Sequence, residues 1–214
     1  MALKAYALTT VARYKTFAGI TVATDDTLIE IFINQVTEFV EKYCGRRFKK
    51  TTYTATKLDS DGGEVLHVPQ YPIISTSTFT LYSRDTIENE DDWTTVDSED
   101  YYIDYDAGLI YRIGGNKWIR GRQYYKVDYT AGYDFDNTTT FLSDTQAGDL
   151  EYAVWQLIDE GIDYKSGEES VKSESIADYS VTYGSTVEGN MSMKSVLDNY
   201  KSEGIIGGGS PLLY

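Results

Sequence analysis

Apolar positions recur at helical spacing across residues 24–48. Leu28, Phe32, Val36, Phe39 and Tyr43 fall three or four apart, and Ile29, Ile33, Val40 and Cys44 widen the stripe. Glu30, Asn34, Glu38, Glu41 and Lys42 take the other face. The helix is also punctuated. Thr24 is expected to cap it, because its hydroxyl can accept from an N–H of the first turn. Asp25 and Asp26 suit the positive end of the dipole. Gly45 can end it in a left-handed conformation, with Arg46 and Arg47 just beyond the negative end. A shorter helix is predicted from Thr10 to Phe17, stopped by Gly19.

From Thr51 to Tyr133 the period changes to two. Strands are predicted at Thr51 to Lys57, Glu64 to Val68, Ile73 to Tyr82, Trp93 to Val96, Tyr101 to Ile103, Leu109 to Ile113 and Tyr124 to Thr130. The run Asp59-Ser-Asp-Gly-Gly63 reads as a hairpin turn, as does Asp104-Tyr-Asp-Ala-Gly108. Strands so short with turns so frequent suggest a small sandwich or barrel.

Helical spacing returns after Ser143. Ser143-Asp-Thr-Gln146 fits a capping box, and Ala147, Leu150, Val154, Leu157 and Ile158 form the stripe, with Gly161 beginning its end. Ser175 to Tyr183 reads as a strand or an extended arm. Asn190 can cap a last helix with Met193, Val196, Leu197 and Tyr200 facing inward, ending at Gly204. Neither helical pair can bury its stripe alone. The expected fold is therefore α+β: a discontinuous bundle of about four helices from residues 1–48 and 143–204, with a small antiparallel β domain inserted at 49–142.

The 214 residues carry a net charge of −15. Such a surface repels nucleic acid in general, and the bland reading is solubility. No run of about eighteen apolar residues predicts a membrane helix, and the N-terminus lacks a signal-peptide pattern, so synthesis in a cytoplasm is expected. The one cysteine, Cys44, lies on the apolar stripe and reads as packing. The 20 tyrosines cluster where strands are expected, and strand propensity accounts for most of them.

Catalytic motifs are missing. There is no glycine-rich phosphate loop and no nucleophile elbow. His67, the only histidine, sits mid-strand. Asp59 to Glu64 has glycine two positions too early for a calcium loop. The expectation is no enzyme, no metal and no cofactor. One basic run, Arg46-Arg-Phe-Lys-Lys50, suits helix-end electrostatics and an acidic partner surface better than DNA. The C-terminal residues 205–214 form a glycine hinge that carries Ile205, Ile206, Leu212, Leu213 and Tyr214, and these read equally as a tethered anchor or a free tail.

The helix ending Tyr43-Cys-Gly-Arg-Arg-Phe48 resembles the second helix of the head–tail connector (adaptor) proteins of long-tailed bacteriophages. Val127-Asp-Tyr-Thr-Ala-Gly-Tyr133 is similar to the strand closing that family's β insert. Leu150-Glu-Tyr-Ala-Val-Trp-Gln-Leu157 resembles the following helix, and Lys172-Ser-Glu-Ser-Ile-Ala-Asp-Tyr-Ser-Val-Thr-Tyr183 its late extended segment. The resemblance implies a homo-oligomeric ring, usually of twelve copies, beneath the portal protein at the virion head–tail junction. The ring would extend the DNA channel, pass genomic DNA without specific binding, and offer a platform to the stopper or tail. It implies that Ile205, Ile206, Leu212, Leu213 and Tyr214 reach the portal, and that Arg46 and Arg47 contact a neighbouring subunit or the portal. The rival expectation is a β-sandwich module for carbohydrate binding or surface attachment, with Trp93 or Trp118 stacking on sugars.

Overall fold

The computed structural model describes residues 2–85, 92–136, 147–166 and 191–202. Among the described residues the helices are α1 (Val11–Ala18), α2 (Asp26–Cys44), α3 (Gly148–Ser166) and α4 (Met191–Asn199). Between α2 and α3 the described residues form seven strands: β1 (Thr51–Ser60), β2 (Val65–His67), β3 (Thr80–Ser83), β4 (Thr94–Thr95), β5 (Tyr101–Asp104), β6 (Leu109–Arg112) and β7 (Gly121–Ala131). A helical unit lies within Met1–Gly45 and Phe135–Ser202, and a β unit occupies Arg46–Asp134. The fold is α+β.

In the helical unit, Thr10 caps α1, its hydroxyl accepting from the Arg13 N–H, and Gly19 ends it at φ 68°. Gly45 ends α2 at φ 70°. The start of α2 differs from expectation: the cap position is Asp25, not Thr24. Its buried face is also rotated. Ile29, Ile33, Val36, Val40 and Cys44 are buried, whereas Leu28, Phe32, Phe39 and Tyr43 are half-buried. Asn34, Thr37 and Glu41 turn inward with the buried set. For Asn34 and Thr37 the reason is the N-terminal segment, which lies along α2 and brings backbone groups in need of partners with it. Lys4 N–H donates to Asn34 Oδ1 (2.9 Å), Asn34 Nδ2 donates to the Ala2 carbonyl (3.3 Å), and Leu8 N–H donates to Thr37 Oγ1 (3.2 Å). Buried backbone donors and acceptors require such partners.

Helix α3 runs through Gly161 to Ser166 rather than ending there. Glycine serves a close approach: a Cβ at 161 would lie 2.8 Å from the Phe32 ring. The Ser143 capping box, the Asn190 cap, the 175–183 segment and Gly204 lie outside the described residues.

The β unit is a two-sheet sandwich. One antiparallel sheet has the order β1-β7-β3-β4, the other β2-β6-β5. Cross-strand register aligns the inward residues: Leu58 faces Tyr125, Leu81 faces Val127, and Leu66, Ile110 and Ile103 form one row. With Val68, Trp118, Tyr129 and Ala131 they make one apolar core. The turn at residues 61–64 is present, yet it does not join a hairpin. β1 pairs with β7 and β2 with β6, so the chain turns a corner between sheets. Asp104 to Gly108 does close a hairpin, β5 to β6, with Gly108 at φ 68°. The strand expected from Ile73 shrinks to Thr80–Ser83, with Ile73 forming one isolated bridge to Ala131.

Candidate assembly surfaces

The C-terminal end of α2 is where the described chain finishes. Helix α4 returns to it, and the Ser202 N–H donates to the Cys44 carbonyl (2.8 Å). The Cys44 thiol donates to the Leu197 carbonyl (3.5 Å), which accounts for its burial as packing. A Cβ on Gly45 would lie 3.0 Å from Ser202 Oγ, so the two segments touch. On the exposed side, Tyr43 Oη donates to Asp198 Oδ1 (2.8 Å), Lys201 Nζ pairs with the same carboxylate (2.6 Å), and Lys201 Nζ lies 4.2 Å from the Tyr43 ring centre. The bond from Lys201, then that from Tyr43, holds the Asp198 carboxyl below its ordinary value of 3.8. Reciprocally, Asp198 raises Lys201. Desolvation, then the Asp198 bond, raises Tyr43. The next residues lead to Ile205, Ile206, Leu212, Leu213 and Tyr214, all outside the described residues.

Arg46 and Arg47 follow Gly45 but differ. Arg46 is 3% exposed; its guanidinium lies 3.5 Å from the Tyr71 ring centre and 5.1 Å from that of Phe48, and it donates to the Tyr71 carbonyl. That cation is used inside the β unit, where stacking on aromatic faces is favourable. Arg47 is half-buried, its N–H donating to Gln70 Oε1 (3.1 Å).

The helical unit holds a polar cluster that sequence reasoning missed. Arg13 Nε and Nη2 donate to the two Glu151 oxygens at 2.6 and 2.5 Å, with both side chains at most 5% exposed. Thr9 Oγ1 donates to Glu151 (3.2 Å) and accepts from Trp155 Nε1 (2.9 Å). Bidentate pairing with further bonds is what makes a buried ion pair tolerable. The only local hint was a polar residue, Glu151, inside the apolar spacing of α3. Beside the cluster, Phe17 stacks on Trp155 (4.8 Å) and meets Tyr152 edge-on (5.7 Å), leaving Phe17 and Tyr152 exposed. An open hollow of about 610 Å³ lies along α1, lined by Val11, Lys15, Ile20 and Asp26 among others, with Lys15 already paired to Asp26 (2.7 Å).

The β unit bears on the sugar-binding expectation. Trp118 is 3% exposed, and its indole N–H lies within bonding distance of the Glu64 and Ile110 carbonyls (3.0 and 3.2 Å). It cannot stack on a ligand. Trp93 is half-buried between the Arg84 guanidinium (4.7 Å) and Lys126 Nζ (4.8 Å). His67 is exposed on β2 opposite Leu109. Among the described residues no group of three or more His, Cys, Asp or Glu could hold a metal ion.

A family model described as head completion protein matches residues 7–202. No curated protein matches. Among solved structures, the chain is similar to one described as the neck of an empty gene transfer agent particle computed with C6 symmetry, at 14% identity and a TM-score of 0.52. A second is the neck of the native particle computed with C12 symmetry, at 15% identity and a TM-score of 0.51. In both cases 97% of this chain and 96% of the other are covered. At such identities the likeness concerns the fold.

Proposed function

The chain belongs to the head completion protein family, and from that premise we propose that its copies form a ring under the portal, extend the DNA channel and dock the stopper or tail. It is a structural connector of the phage virion, sited at the head–tail junction. The match over residues 7–202 carries this reading, because it takes in both units. The similar neck structures were computed with cyclic symmetry, C6 in one and C12 in the other, which is in keeping with a ring. A chain of net charge −15 suits a channel wall that DNA slides past, since like charge discourages sticking. No catalytic role is part of this reading.

Within it, Ile205, Ile206, Leu212, Leu213 and Tyr214 anchor the ring to the portal. The support is geometric: the chain leaves Ser202 against Gly45, one residue before the arginine pair. Of the two arginines expected at a neighbouring subunit or the portal, Arg46 is buried on Tyr71 within the β unit, which argues against it in that role. Deleting residues 205–214 should leave a folded chain that no longer retains portal in a pull-down. Undiminished retention would refute the anchor.

A further inference from the structure

Charge in the β unit is sorted. Between Asp85 and Tyr111 the chain holds acids and no cation, whereas Arg112, Lys117, Arg120, Arg122 and Lys126 follow with no acid between them. The fold carries part of each set to opposite edges of one sheet, while Arg112 on β6 pairs with Asp100 and Lys126 on the inner strand β7 lies against Trp93. In the order β1-β7-β3-β4, the free edges are β1 and β4. At the β1 edge, Ser60 pairs with Gly121, which brings the loop carrying Lys117, Arg120 and Arg122 beside exposed Lys57. Lys57, Lys117, Arg120 and Arg122 are exposed, and the described residues offer them no ion pair. Of the acids at this edge, Asp59 Oδ1 accepts from the Gln123 N–H across β1 and β7 (2.9 Å), Asp61 Oδ1 accepts from the Gly63 N–H in the turn (2.7 Å), and Glu64 is exposed, so cations outnumber the acids that are not held by the backbone. At the β4 edge, Asp92, Asp97 and Glu99 are exposed, and Asp100 pairs with Arg112 (3.1 Å).

The basic loop is rigidly held and partly apolar. Trp118 anchors it in the core through its indole and through its own N–H, which donates to the Gly63 carbonyl (2.8 Å), while the Ile119 N–H donates to Tyr125 Oη (2.8 Å). That leaves Ile113 at 47% and Ile119 at 59% exposure among the cations. Isoleucines interleaved with arginines suit a protein partner better than a phosphate backbone, which asks only for cations and polar groups.

We propose that the occupant of this edge is the acidic β4 edge of a second copy of the chain. Two different edges meeting make a head-to-tail contact, the kind that closes a ring when its rotation allows. β1, ten residues long, is an exposed edge of the kind that can template another chain; β4 has only two residues, so opposite charge rather than strand length selects that edge and its orientation. The contact also gives subunits of charge −15 a local attraction to set against their mutual repulsion. It rests on the ring reading and names the surfaces that make the ring.

The test uses heads that lack this protein, completed in vitro with equal amounts of unlabelled and ¹⁵N-labelled full-length chain. Zero-length carbodiimide crosslinking should yield mixed-isotope peptides joining Lys57 or Lys117 to Asp92, Asp97 or Glu99. The Arg120→Glu/Arg122→Glu variant and the Asp92→Lys/Glu99→Lys variant should each lower that yield about tenfold. Mixing the two variants should restore it, because each reversed edge then meets its complement. Exposed reversals should leave thermal unfolding unchanged, which separates lost contact from lost fold. If the parent chain and both variants occupy the neck and the parent yields no such crosslinks, the contact is refuted while the ring stands. If neither they nor the parent chain reaches the neck, the ring reading itself fails. Retention of a DNA duplex at low salt, lost in the Arg120→Glu/Arg122→Glu variant, together with no mixed-isotope links, would make nucleic acid the occupant and overturn the proposal.

Discussion

The helical and β units are held together by different physics. In the helical unit, buried polar side chains tie segments far apart in sequence: Arg13 to Glu151, Thr9 to Trp155, and Asn34 and Thr37 to the N-terminal segment. In the β unit, a core of aliphatic and aromatic residues from both sheets is wrapped by backbone ladders, and the buried cations Arg46 and Arg84 are taken up by backbone carbonyls and ring faces. The contrast follows from geometry. Helices satisfy their own backbones, so an irregular segment laid against one needs side-chain partners. Strands satisfy each other, which leaves side chains free to pack or to project. A unit organised around a buried ion pair also resists small changes poorly, because removing one partner strands the other.

Glu151→Ala gives the largest expected effect. It leaves the Arg13 guanidinium buried without its carboxylate and should destabilise the helical unit by about 3–5 kcal/mol. Calorimetry should show one transition moving down while that of the β unit holds; equal movement of both would erase the contrast. Trp118→Phe should come next, at about 1–3 kcal/mol, since it shrinks a core ring and removes an indole donor from the Glu64 and Ile110 carbonyls. Here the β transition alone should move in the same calorimetric scan.

The smallest effect concerns the Tyr43–Asp198–Lys201 cluster. Asp198 is lowered in the folded chain, so its contribution is fully present above pH 3.8 and fades as pH falls through the lowered value. Lys201 is raised, so its contribution is present below pH 10.5 and fades as pH rises past its folded value. These groups are exposed, where ion pairs count for little. Asp198→Asn should flatten the acid limb of the stability–pH curve slightly and leave pH 7 stability nearly unchanged. A large loss at pH 7 would mean that the C-terminal turn, and not just its charges, depends on this carboxylate.

Three helix limits were legible because caps act locally. Thr10, Gly19 and Gly45 each do their work within a turn of where they stand. The inner face of α2 was not legible. Asn34 and Thr37 look like surface residues until the segment they bind, some thirty positions upstream, is laid beside them. The hairpin expected at Asp59 to Gly63 failed for a related reason: a turn motif specifies the bend, whereas partners such as β7 and β6 are chosen by a core assembled from distant strands. Arg46 and Arg47 were indistinguishable as neighbouring cations, and burial against the Tyr71 ring and carbonyl sets Arg46 apart.

By itself, the sequence determined the α+β class, the order of helices and strands, and the family, because periodicity, capping and ordered motifs are local properties of the chain. The tertiary structure alone decided which polar residues are inside, which tryptophan is core, and which cations stand free at the β1 edge. Those outcomes depend on contacts between residues tens of positions apart, and no local pattern encodes which surfaces such contacts will cover.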